Sequence, residues 1–176
     1  MGGAVSLIAT IKEPEFVKAL ILLTPAGFTE YSSPAKFIFR TFYNTIFGDR
    51  FSDLDKARKY YRESVYSWNP AMSEFLKTRE RMMIHPEWLK VQKTIKDSAI
   101  SGLDIDKDIL PKISGIKIPV LVLLAADDKL VSAKEVRRNI EKRTKKWQIK
   151  IFEKCGHMIQ YDKQEKTIRS MIDFLK

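Results

Sequence analysis

The stretch IPVLVLLAADDKLV, Ile118 to Val131, decides the fold. Pro119 opens it, and Val120, Leu121, Val122, Leu123 and Leu124 follow without a polar break. A continuous β-branched and aliphatic run of this length has the pattern of a strand buried on both faces, as in a parallel sheet. Asp127 and Asp128 stand where that strand ends. In open α/β sheets the carboxyl edge is where sites are built. A second strand answers it at QIKIF, Gln148 to Phe152, and Glu153-Lys154-Cys155-Gly156-His157 follows. An acid therefore follows one strand and a histidine follows the next.

Outward from these strands the chain alternates helix and strand at both ends. Gly2 to Thr10 carries small residues with Val5, Leu7, Ile8 and Ala9, which suits a helix packed closely on a sheet. Glu13-Pro14-Glu15 ends that helix. Val17 to Leu23 reads as a strand, closed by Thr24-Pro25-Ala26-Gly27. Near the C-terminus a helix is predicted from about Ser132 to Arg143, and a last one from about Lys163 to Leu175. Ile168, Met171, Ile172 and Leu175 mark the apolar face of the last helix.

Between Phe28 and Ser114 the apolar spacing is helical, and no strand is predicted. Phe37, Phe39, Phe42, Tyr43, Ile46 and Phe47 form one aromatic-rich segment. Ser52-Asp53-Leu54-Asp55 reads as a helix N-cap with acidic first-turn residues, ahead of Ala57, Tyr60, Tyr61 and Val65. Pro70 starts a third helix running to about Ile84, and Pro86 a fourth with Trp88, Leu89, Val91 and Ile95. The expected organisation is thus a core from residues 1–27 and 115–176, with residues 28–114 as a helical insertion. Most of its aromatics are read as the insertion's own core, and some as pocket lining.

The totals bound the class. The 176 residues suit one core; 44% are hydrophobic and 31% charged, as in ordinary globular proteins. No apolar run approaches the roughly 20 residues of a membrane span, and no signal-peptide pattern opens the chain. The single cysteine, Cys155, rules out an intrachain disulfide and fits a reducing, cytoplasmic setting. The net charge of +10 concentrates at KEVRRNIEKRTKKWQIK, Lys134 to Lys150. A salt-dependent nucleic-acid surface is one reading of that run. No recognised nucleic-acid-binding motif accompanies it, so the solvated face of a lysine-rich helix is the preferred one.

Asp128 and His157 together suggest an orienting acid and a general base. Histidine takes and returns a proton near neutral pH, and a buried carboxylate on its other nitrogen fixes the tautomer. The pair needs a nucleophile. Cys155, two residues from His157 on the same loop, has poor geometry for that role.

These motifs resemble the C-terminal two-thirds of an α/β-hydrolase-fold protein with a helical cap. Met1-Gly2-Gly3-Ala4-Val5-Ser6-Leu7 is similar to the G-x-S-x-G elbow from its fourth residue onward. Ile118 to Val131 resembles the acid strand, with Asp128 on the acid position, Asp127 the lesser choice, and Ala125 where glycine is usual. Cys155-Gly156-His157 resembles the G-H motif, and Asp162 the acidic residue five positions later. The resemblance implies a parallel sheet of about three strands flanked by helices, with its edge at Val17–Leu23. It also implies a cap over 28–114, a small-molecule ester, amide or related carbonyl substrate, and no cofactor or metal.

It places the nucleophile serine immediately before Met1, outside the chain, and one oxyanion N–H on Met1 itself. Ser6 lies a turn or more into the helix and is no substitute. Losing one oxyanion donor costs about 10²–10³ in rate, and losing the nucleophile removes the covalent route. Two readings follow. The chain is part of a serine hydrolase, inactive alone. Alternatively it is a non-catalytic module that pairs through its open sheet edge with a separate N-terminal half or another copy.

Overall fold

Six consecutive buried residues make β2, Val120–Ala125, the centre of a three-stranded parallel sheet of order β1-β2-β3. In the computed structural model residues 1–46 and 53–176 are described, the side chains of 42–46 and 89 excepted. The sequence readings at Phe47 and Ser52, and at the side chains of Phe42, Tyr43, Ile46 and Leu89, therefore lie outside the described residues. β1 is Leu20–Leu23 and β3 is Gln148–Phe152. Leu20 pairs with Val120, and Leu121 with Gln148, so the register brings the carboxyl ends of all three strands to one edge. β1 starts at Leu20, later than the apolar run from Val17, opposite the first residue of β2, Val120.

The alternation of side chains along β2 divides the core in two. Val120, Val122 and Leu124 face a layer built from α1 (Gly2–Lys12), α6 (Ile105–Ile109) and α7 (Ala133–Glu141). Leu7, Ile109, Ile113, Val136 and Ile140 are fully buried there. Phe28 joins them, edge-on to Trp147 at 6.1 Å. Leu121, Leu123 and Ala125 face Cys155, Ile159, Met171 and Phe174, on the side of α8 (Ile159–Asp162) and α9 (Gln164–Leu175).

On α9 the apolar face and the buried face differ. Ile168, Ile172 and Leu175 are exposed, and the helix buries Thr167 and Ser170 instead. Thr167 Oγ1 donates to the Ile159 carbonyl, which satisfies its polarity inside the fold.

The remaining helices lie between β1 and β2 in sequence: α2 (Ser33–Ile46), α3 (Leu54–Glu63), α4 (Pro70–Met83) and α5 (Trp88–Ser101). No strand occurs there among the described residues. Asp53 caps α3 by accepting the Asp55 and Lys56 N–H groups. Asn69 caps α4 the same way at Met72, with Pro70 in the first turn. α5 begins at Trp88 with Glu87 as cap, two residues after Pro86 rather than on it. α3 and α4 share a small core of Ala57, Tyr61, Val65, Met72 and Leu76. Tyr61 meets Phe75 edge-on at 5.1 Å, and Phe75 meets Tyr161 at a tilt at 5.4 Å. Phe37 is exposed instead. α2 is held to α6 by buried Lys36, 3.0 Å from Asp104 and 3.1 Å from Asp106.

On α7 the basic run divides by helix face. Ala133, Val136, Asn139 and Ile140 are buried, while Lys134, Arg137, Arg138 and Lys142 point outward. Arg137 pairs with Glu141 at 2.7 Å.

Candidate active site

The loops leaving the carboxyl ends of β2 and β3 meet. Ala126 N–H donates to the Phe152 carbonyl and Asp127 N–H to the Cys155 carbonyl, so the backbones interlock beyond the sheet. The two aspartates then separate in role. Asp127 turns its carboxylate toward the Cys155 N–H at 3.3 Å. Asp128 reaches His157 Nδ1 at 2.8 Å.

Asp128 is held by bonds other than the one to His157. Its Oδ1 accepts the N–H groups of Leu130 at 2.8 Å and Val131 at 2.9 Å, an Asx turn that precedes α7. Its side chain is 1% exposed against 29% for His157. A carboxylate so placed accepts a hydrogen bond from Nδ1–H, which fixes the tautomer in which Nε2 is the basic nitrogen.

His157 is also fixed through its backbone. Thr24, the residue after β1, donates its hydroxyl to the His157 carbonyl at 3.0 Å. Thr24 is buried at φ 42, a left-handed conformation that a β-branched residue adopts at a cost of about 1–3 kcal/mol. Thr24 was not among the residues singled out from sequence. Its place in a Thr-Pro-Ala-Gly turn carried no sign that the hydroxyl crosses to another strand.

The same turn reaches the first helix. A Cβ on Gly3 would sit 2.9 Å from Pro25 Cβ, so α1 begins against the carboxyl end of β1. Met1 caps α1, with its carbonyl accepting the Ala4 and Val5 N–H groups. Ser6 is exposed and donates to the Gly2 carbonyl.

Cys155 is fully buried. Burial, with Asp162 next in effect, pushes its thiol from the ordinary 9.0 up to about 12. A thiol kept protonated and covered is not a nucleophile at neutral pH. No group of three or more His, Cys, Asp or Glu side chains is arranged to hold a metal among the described residues. No described helix is long and apolar enough to cross a membrane.

Comparison with known proteins adds the context. The family model described as serine aminopeptidase, S33 (Hydrolase_4), matches residues 1–164. The 2-hydroxy-6-oxo-6-phenylhexa-2,4-dienoate hydrolase of Comamonas testosteroni is 25% identical over 189 residues, covering 100% of this chain and 60% of that protein. The structure of the hydrolase of the same name from Rhodococcus sp. strain RHA1 superposes with a TM-score of 0.78 at 20% identity, over 99% of this chain and 61% of that one. An esterase from Exiguobacterium antarcticum gives 0.74 at 17%, over 98% of this chain and 62% of that one. The chain thus spans about three-fifths of the length of each of these relatives.

Proposed function

Because the chain belongs to the α/β-hydrolase family described as serine aminopeptidase, S33, we propose that it carries the acid and base of a serine-hydrolase triad, Asp128 and His157. The observation that carries this is the 2.8 Å contact between His157 Nδ1 and a carboxylate that is 1% exposed. In this reading a serine attacks the substrate carbonyl and His157 Nε2 accepts its proton. His157 then returns the proton to the leaving group, and Asp128 stabilises the imidazolium. Backbone N–H groups, that of Met1 among them, meet the oxyanion.

The serine is assigned to sequence immediately before Met1. The support is local: α1 starts at Gly2, its first turn packs on Pro25, and the neighbouring Thr24 bonds the His157 carbonyl. The start of α1 thus lies beside the turn that bonds His157, which supports this assignment. Residues 28–114 act as a cap that selects a mainly apolar ester, amide or related carbonyl substrate. Relatives named as a dienoate hydrolase and an esterase agree with that class.

The full gene product is expected to hydrolyse an activated ester and to lose about 10⁶-fold in His157→Ala. The 176-residue chain alone is expected to show no turnover. A burst from that chain which survives Cys155→Ala but vanishes in His157→Ala would refute the assignment of the serine. Unchanged hydrolysis in His157→Ala would refute the triad.

A second reading, an assembly module without catalysis, is favoured by β1. Its apolar LILL pairs only with β2 among the described strands, and Ile168, Ile172 and Leu175 lie exposed on α9. The intact mass of the native gene product separates the two. A mass well above 20.5 kDa favours the hydrolase, and a 20.5 kDa species without turnover favours the module.

A further inference from the structure

Asp162 stands at the end of α8, five residues past His157, yet its carboxylate reaches in two directions. Oδ2 accepts the Gly156 N–H at 2.8 Å, from the residue before His157. The same oxygen accepts the Tyr66 N–H at 2.7 Å, and Oδ1 accepts the Ser67 N–H at 3.0 Å. Tyr66 and Ser67 lie in the turn between α3 and α4. One carboxylate thus joins the histidine loop to the helical insertion. Hydrogen bonds to an ionised acceptor are about twice as strong as neutral ones.

The joint is continuous around it. Met158 N–H donates to the Ser64 carbonyl at 3.0 Å, and Asn69 Nδ2 to the Tyr161 carbonyl at 3.0 Å. Met158 and Tyr161 pack into the α3–α4 core. Gly156 is where the two backbones come closest. A Cβ there would stand 2.8 Å from the Ser64 oxygen, 2.8 Å from the Val65 carbonyl carbon and 2.9 Å from the Tyr66 nitrogen. The N–H groups of the two residues either side of His157 are therefore tied to the 64–67 turn, Gly156 through Asp162 and Met158 directly, while the His157 carbonyl is tied to Thr24.

We propose that Asp162 is a positioning residue that latches the α3–α4 turn onto the histidine loop, so that docking of the helical insertion sets the geometry of His157. This rests on the reading of His157 as the base. A substrate or product that moves α3 or α4 then alters the His157–Asp128 contact through Asp162, with no need to touch His157.

The test uses the full gene product labelled with 15N-histidine, the His157 signals being assigned by their loss in His157→Gln. Asp162→Asn keeps the shape but turns one oxygen into an N–H donor facing a backbone N–H. It is expected to speed amide exchange at Tyr66 and Ser67 about tenfold or more and to shift the His157 imidazole signals, while β2 amides stay protected. Gly156→Ala leaves Asp162 in place, pushes Ser64 to Tyr66 away, and is expected to reproduce both effects. It is the deciding variant should Asp162→Asn lose β2 protection.

Faster exchange with unmoved His157 signals overturns the coupling. Unchanged exchange in both variants overturns the latch. Asp128→Asn is the separate arm: if His157 ignores it, the acid–base reading fails. If His157 responds to Asp128→Asn but not to Asp162→Asn or Gly156→Ala, only the latch fails.

Discussion

Cys155 offers a quantitative check on the chemistry of the histidine loop, because it is the only thiol in the chain. The thiol is fully buried beside Leu121, Leu123 and Ile159. Its pKa is raised from the ordinary 9.0 to about 12, by burial first and then by the Asp162 carboxylate. The thiolate fraction at pH 8 is thus about a thousandfold lower than in the unfolded chain, and thiolate is the species that alkylates. Iodoacetamide labelling of the native protein at pH 8 is expected to be slower than in urea by about 10³-fold, followed by intact mass.

The same shift has a stability consequence with a definite sign. A folded pKa above the unfolded one stabilises the fold below pH 9 and loses that contribution as pH rises through about 12. The contribution is at most about 4 kcal/mol, reduced wherever solvent screens the loop. Cys155→Ala should therefore flatten the alkaline limb of the stability curve relative to the parent. Native labelling within tenfold of the unfolded rate would refute the reasoning, and Cys155 would return as a nucleophile candidate.

Leu123→Ala removes a fully buried side chain from the central strand, on the face shared with Cys155 and Ile159. It is expected to cost about 2–5 kcal/mol in urea unfolding; a loss below 1 kcal/mol would argue that the α9 side collapses freely. Lys36→Met leaves Asp106 buried without its ammonium. A loss of about 3 kcal/mol is expected, the lower end for a broken buried pair, since Asp104 keeps Arg40 and Lys107. Lys36, foremost among its partners, holds the Asp104 carboxyl well below the ordinary carboxylate range. That stabilisation is present above the unfolded pKa and lost as pH falls through the folded one. Acid titration of Lys36→Met should accordingly show a shallower loss of stability than the parent.

Elements whose character is written in contiguous residues were legible from the chain alone. Val120 to Leu124 carries no polar residue and formed the strand paired on both sides. Gln148–Phe152 kept its predicted bounds. Asn69-Pro70 started α4 because a side-chain acceptor and a fixed φ both act within one turn. The approximate positions of Asp128 and His157, at the ends of successive strands, follow from the same local logic.

What the tertiary structure alone decided are relations between side chains distant in sequence. Asp127 and Asp128 are chemically alike, and only the interlocked loops after β2 and β3 turn one to the Cys155 N–H and the other to the imidazole. α9 shows the limit of periodicity. Ile168, Ile172 and Leu175 share one apolar stripe, but the helix packs through Met171 and Phe174 and buries Thr167 and Ser170. A periodic pattern specifies a helix and an apolar stripe; which stripe is covered depends on what stands opposite. Thr24 and Asp162 are the clearest cases, since their roles consist of hydrogen bonds to backbone atoms 133 and 96 residues away. A backbone N–H or carbonyl is the same on every residue, so no residue type in the sequence marks the partner.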